Sequence, residues 1–198
     1  MLSKTEIVWR QLLVEALEHD NRRSSVTELS RRFGFGPSTV HRSLVAPREM
    51  GAVDGGWRGL IVYDPIRLLL HWAGQRRLRR DKPLTVHTGL PAEEIEAILP
   101  DSTILTGAAG YARRFSNTVA DYSTVYVYSS DPDGVLAAVP DLVGAPDLII
   151  LEPDEFLPSN GRVVSVPQMY VDLFATPGWQ AQRFLHAMNE RLEVASAI

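Results

Sequence analysis

Two start signals and one stop confine the first 45 residues to three short helices. Ser3-Lys4-Thr5-Glu6 has the form of a capping box, in which Ser3 accepts from the Glu6 amide and the Glu6 carboxylate returns to the Ser3 amide. Behind it Ile7, Val8, Leu12, Leu13, Ala16 and Leu17 fall on one helical face. That helix should end near Glu18–Asp20, before a polar turn at Asn21-Arg22-Arg23-Ser24. Ser25-Val26-Thr27-Glu28 repeats the box and opens a second helix to about Phe33, with Val26, Leu29 and Phe33 inward. Gly34-Phe35-Gly36 breaks it, and Pro37 suits the first turn of a third helix. Val40 and Leu44, one turn apart, should pack inward, leaving Ser38, Thr39, His41, Arg42 and Val45 outward. Pro47 removes an amide donor and should end or kink this helix near Ala46.

After Met50, two β-prone runs flank Asp54-Gly55-Gly56, which reads as the turn of a hairpin. The order helix, helix, glycine turn, Ser/Thr-rich helix, hairpin resembles the winged helix-turn-helix superfamily. The string Gly36 to Leu44 is similar to the recognition helix of many bacterial repressors. In that arrangement Ser38 and Thr39 suit phosphates at a helix N-terminus. Arg42 can reach guanine bidentately or a phosphate as a charge, and His41 either of these, or stays a plain surface residue. Arg58, near the expected wing tip, reaches the backbone or minor groove, and Arg48 completes the expected DNA-contacting set. Trp57 is expected to pack between wing and core. A winged helix used only for protein contacts is the alternative.

Charge is unevenly spread. The 198-residue chain carries a net charge of −4. Residues 1–80 hold 14 Lys/Arg against 8 Asp/Glu, and residues 81–198 hold 6 against 16. A basic N-terminal part and an acidic C-terminal part suggest two domains, one meeting a polyanion. The chain has no cysteine, which excludes disulfides, thiolate metal sites and cysteine nucleophiles. Met1 to Gln11 lacks a signal-peptide pattern, and no apolar run approaches the roughly 20 residues that span a bilayer. The expectation is a cytoplasmic protein without membrane contact.

The fold class expected is mixed α/β. A winged helix-turn-helix at 1–63 is followed by a connecting helix at 64–80 and an α/β domain at 81–198. Asp64-Pro65 starts the connecting helix, which should run to about Leu78 with Ile66, Leu69, Leu70 and Ala73 inward. The cations of Arg76-Arg77-Leu78-Arg79-Arg80 suit a helix C-terminus or phosphates equally. Beyond them, strand-like runs at 84–87, 103–105, 123–129, 148–151 and 163–166 alternate with helical patterns. In the third run Val125 and Val127 alternate with Tyr126 and Tyr128, which predicts one buried face.

No constellation for catalysis stands out. His19, His41, His71, His87 and His186 have no ligand spacing, so neither metal nor cofactor is expected. There is no Gly-x-Ser-x-Gly and no P-loop. Gly107-Ala108-Ala109-Gly110 follows a strand and opens a helix, a weak phosphate signal without a third glycine or a basic partner. Asp147 before a strand and Glu152 after it are similar to the metal-binding acids of restriction-type nucleases. Position 154, where those enzymes need lysine, is Asp. The expectation is a non-enzyme. The alternatives are a metal-dependent nuclease or nucleotidyl-transfer enzyme using Asp147 and Glu152, and a one-component repressor whose α/β domain senses a ligand.

Several segments together resemble one family. They are Tyr63-Asp64-Pro65-Ile66-Arg67-Leu68-Leu69-Leu70-His71-Trp72, Leu105-Thr106-Gly107-Ala108-Ala109, Leu151-Glu152-Pro153 and Pro167-Gln168-Met169-Tyr170-Val171-Asp172-Leu173. With a winged helix ahead of them, they are similar to AbiEi-type proteins, the antitoxins and transcriptional regulators of type IV toxin–antitoxin (abortive infection) systems. The resemblance implies a repressor of its own promoter that binds double-stranded DNA at inverted repeats. A homodimer on DNA is expected separately, because one winged helix reads only a half-site. It also implies a nucleotidyltransferase-like toxin as functional partner, not necessarily bound directly.

Overall fold

The computed structural model describes residues 2–56, 59–157 and 159–196. It is of mixed α/β class and divides into two compact units, residues 2–75 with the end of the last helix, and residues 76–191.

The first unit begins with α1, Lys4–Glu18, whose capping box is complete. The Ser3 amide donates to Glu6 Oε2 at 3.0 Å and the Glu6 amide to Ser3 Oγ at 3.3 Å. At α2, Val26–Phe33, the Glu28 amide donates to Ser25 Oγ at 3.1 Å. Gly34 ends α2 in the left-handed conformation, φ +64°, and α3 follows over Pro37–Ser43. The polar turn expected at 21–24 instead holds a short strand, β1, Arg23–Ser24. It pairs antiparallel with β3, Gly59–Val62, and β3 pairs with β2, Val53–Gly56.

The hairpin is present but reverses later than expected. Asp54, Gly55 and Gly56 lie inside β2, opposite Ile61, Leu60 and Gly59. Glycine at 55 serves close packing rather than a turn. A Cβ there would lie 2.6 Å from Leu60 Cδ2 and 2.8 Å from Arg48 Nη2.

The third helix stops sooner than Ala46. It ends at Ser43, and a separate helix, α4, covers Val45–Glu49. Pro47 sits in the first turn of α4, where its missing amide is no loss to that helix. The last helix of the unit, α5, covers Pro65–Gln75, with the Arg67 amide donating to Asp64 Oδ1 at 2.8 Å. It ends before Leu78 because Arg77 is extended, and a 3-10 turn covers Leu78–Asp81. Its buried face is also rotated from the expected one. Leu68, Leu69, Trp72 and Ala73 are buried, and Leu70 is 48% exposed. Trp72, the largest apolar side chain on the helix, sets the phase, and its indole reaches Glu6 Oε1 at 3.4 Å.

The second unit is a six-stranded mixed sheet with helices. Its elements are β4 Leu84–Val86, α6 Ala92–Ile98, β5 Ile104–Thr106, α7 Gly107–Phe115, β6 Val125–Tyr128 and α8 Pro132–Ala138. They continue with β7 Leu148–Leu151, β8 Ser159–Asn160, β9 Val163–Val164, α9 Val166–Ala175 and α10 Trp179–Ser196. The strand order is β4-β7-β6-β5-β9-β8. The pairs β6–β7 and β5–β9 are parallel and the others antiparallel. Val125, Val127, Leu148 and Ile150 form the centre of the core with Ile95, Leu105 and Ala109.

Tyr128 departs from the expected alternation. It is buried like Val125 and Val127, because α9 covers its side of the sheet with polar partners. Ala181, Phe184 and Met188, on one face of α10, are buried.

Candidate nucleic-acid interface

The α3 helix has two sharply different sides. Val40 and Leu44 are fully buried, and Ser43 is 1% exposed. Ser38, His41 and Arg42 are exposed, and Thr39 is half-buried. One hydrophobic anchor per turn therefore fixes the helix and turns its polar residues to solvent.

The amides expected to cradle a phosphate at the start of α3 are largely used internally. Those of Thr39 and Val40 donate to the Gly36 carbonyl, at 2.9 and 3.3 Å, and Pro37 has none. The exposed side chains are thus what this helix offers, with Arg42 the one cation among them.

Arg48 stands apart from that face. It is half-buried beside Gly55 of β2, and its Nε is buried without a hydrogen-bond partner among the described residues. Packing under the hairpin accounts for it better than projection outward. Trp57 and Arg58 lie outside the described residues.

Two exposed cations missed in the sequence, Arg31 and Arg32, sit in the last turn of α2, just before the Gly34 turn into α3. Arg32 packs over the Phe33 ring at 5.9 Å. In the sequence they read as cations complementing a helix C-terminus, which hides any second role.

The charge contrast also shifts with the domain boundary. Residues 2–75 hold ten Lys/Arg against eight Asp/Glu, because Arg76, Arg77, Arg79 and Arg80 belong to the second unit.

The acids of the enzyme alternative are not brought together. Asp147 and Glu152 flank β7, five positions apart along an extended strand, or roughly 16 Å. Asp147 accepts from the amides of Thr88 at 2.7 Å and Gly89 at 2.8 Å, with His87 Nδ1 3.0 Å away. Burial pushes its carboxyl up, but these bonds, the Thr88 hydroxyl and His87 outweigh burial and hold it below the ordinary range. Glu152 pairs with Lys82 at 2.9 Å. Among the described residues no group of three or more His, Asp or Glu is arranged to hold a metal ion.

No family model, curated protein or solved structure matches this chain. The functional reading therefore rests on the residues themselves.

Two of the sequence segments, Leu105 to Ala109 and Pro167 to Leu173, meet in the core of the second unit. Thr106 Oγ1 donates to Asp172 Oδ2 at 2.8 Å, and Gln168 Nε2 to Asp172 Oδ1 at 3.0 Å. Arg76 Nε donates to Asp172 Oδ1 at 2.8 Å, its Nη2 to the Tyr128 hydroxyl at 2.8 Å, and it pairs with Asp81. All six residues are buried. Arg76 is therefore a core residue, its Nε and Nη2 committed to buried partners rather than to the end of α5. Thr106, the N-cap of α7, gives its hydroxyl to Asp172 rather than to that helix. Gly110, just after that segment, is explained by packing, since a Cβ would lie 3.1 Å from the Leu105 carbonyl oxygen. No described helix is long and apolar enough to cross a membrane.

Proposed function

We propose that residues 2–75 bind double-stranded DNA as a winged helix-turn-helix, with α3 as recognition helix, and that the protein is a sequence-specific transcriptional regulator without catalysis. The observation that carries this reading is the two-sided burial of α3. Val40 and Leu44 anchor it completely while Ser38, His41 and Arg42 stand exposed after a left-handed glycine turn. Arg42 has the donor geometry for guanine O6 and N7 or for a phosphate. Arg31 and Arg32 flank the same turn and add phosphate contacts to the set proposed from the sequence. The antiparallel β2–β3 hairpin takes the place of the wing.

The four segments similar to AbiEi-type proteins support the narrower reading. It is a cytoplasmic, autoregulating antitoxin of a type IV system that meets operator inverted repeats as a homodimer. Its functional partner is a nucleotidyltransferase-like toxin.

A gel-shift titration against the chain's own upstream DNA tests the proposal. Binding should weaken as salt rises, and each phosphate contact removed should lower the log–log salt slope by about one. Arg42→Ala should weaken binding and relax preference at one base position, at about 1–3 kcal/mol if it reads a guanine. Binding that ignores salt, or that is unchanged in Arg42→Ala combined with Arg58→Ala, overturns it.

A further inference from the structure

The second unit is acidic, yet four arginines crowd into Arg76-Arg77-Leu78-Arg79-Arg80, and three of them line a cleft of about 610 Å³. That volume lies within the range of small-molecule sites. Arg77, whose Nη1 also donates to the Arg76 carbonyl at 2.7 Å, and Arg79 supply cations. Ile149 of β7 and Phe174 of α9 supply apolar surface, and Phe174 is 46% exposed. Thr85 of β4 and Tyr126 of β6 line the same cleft. Arg76 also lines it, and although its other nitrogens are bonded inside the core, its buried Nη1 has no hydrogen-bond partner among the described residues.

We infer that this cleft binds a small organic anion, with its phosphate or carboxylate on Arg77 and Arg79 and its apolar body against Phe174 and Ile149. Guanidinium groups pair with either oxyanion bidentately, which is the shared chemistry of the two ligand sources. A duplex phosphate backbone fits the site less well, because Ile149 and Phe174 give the cleft an apolar lining that a phosphate chain does not use. Within the chain the site directly follows α5, since Arg76 is next to Gln75.

The inference does not rest on DNA binding, and its test uses none. Phenyl phosphate, benzoate and inorganic phosphate are titrated separately into the full chain, followed by calorimetry and by backbone amide shifts. Phenyl phosphate or benzoate should bind and perturb the amides of Thr85, Tyr126 and Phe174, and whichever binds tighter identifies the oxyanion. Inorganic phosphate should bind at least tenfold more weakly. Arg79→Ala, at an exposed side chain, and Phe174→Ala should each reduce affinity at least tenfold while leaving the amide spectrum of the rest of the chain unchanged. No binding by either aromatic anion, equal binding of inorganic phosphate, or affinity indifferent to both substitutions overturns the inference.

Discussion

The indole Nε1 of Trp9 donates to the main-chain carbonyl of Ser43 at 2.7 Å, across the interior between α1 and α3. In a continuous helix the donor to that carbonyl would be the amide of residue 47, and residue 47 is proline. One sequence feature orphans the Ser43 carbonyl, and another, 34 positions before Ser43, satisfies it. This pair ends the exposed helix at Ser43 and fixes it against α1.

Trp9→Phe should therefore destabilise the chain by about 1–3 kcal/mol, the cost of leaving a buried carbonyl without a donor. Pro47→Ala restores an amide to that position. In the Pro47→Ala background the penalty of Trp9→Phe should shrink, and urea unfolding of the four variants measures the coupling. Equal penalties in both backgrounds would show that Pro47 and Trp9 are independent.

Gly59 is held at φ +107°, and a Cβ there would lie 2.8 Å from the Ser24 carbonyl oxygen. That oxygen belongs to the β1 backbone, which has little freedom to retreat. Gly59→Ala should cost about 1–3 kcal/mol and disrupt the β1–β3 pairing, seen as lost hydrogen-exchange protection at Leu60 and Val62, whose amides face β1. Gly34→Ala, at φ +64° with nothing near its Cβ, should cost about 1–2 kcal/mol and leave the sheet intact.

Tyr128 predicts a response to alkali. Burial raises its hydroxyl well above the ordinary value of 10, and Asp172 and Asp81 push the same way, against Arg76. Above pH 10 the unfolded chain releases this proton and the folded chain keeps it, so stability falls as pH rises. The slope from this residue is about 1.4 kcal/mol per pH unit. Urea midpoints at pH 9 and pH 11 should differ less in Tyr128→Phe than in the wild type. Asp172→Ala should cost at least about 1–3 kcal/mol near neutrality, because Arg76 keeps Asp81 but the buried donors of Arg76, Thr106 and Gln168 lose their acceptor.

Asp147 predicts the opposite dependence at acid pH. Its carboxyl lies below the ordinary 3.8, so its contribution is fully present above that value and is lost as pH falls through the depressed one. Asp147→Asn should lower stability at pH 7 and flatten the acid limb below pH 4, read from urea midpoints at several pH values. An unchanged acid limb would mean that the Thr88 and Gly89 amides do not depend on this carboxylate.

Local signals in the sequence carried far. Ser3 and Ser25 mark two helix starts, and Pro37 and Pro65 two more, because caps and proline act within a few residues. The outward set of Ser38, His41 and Arg42 follows from the spacing of Val40 and Leu44 alone. Strands as short as Ile104–Thr106 and Leu148–Leu151 were legible because their apolar runs are abrupt.

What only the tertiary structure decided depends on residues distant in the chain. The end of α3 depends on Trp9, the phase of α5 on the bulk of Trp72 and its reach to Glu6, and the hairpin register on the close approach of Gly55 to Leu60. Arg76 read as a surface cation, but Asp81, Tyr128 and Asp172 bury it, the last 96 positions away. Capping and periodicity are properties of neighbours, which a sequence displays. A buried charge and an orphaned carbonyl are settled by partners that the folding chain alone brings together.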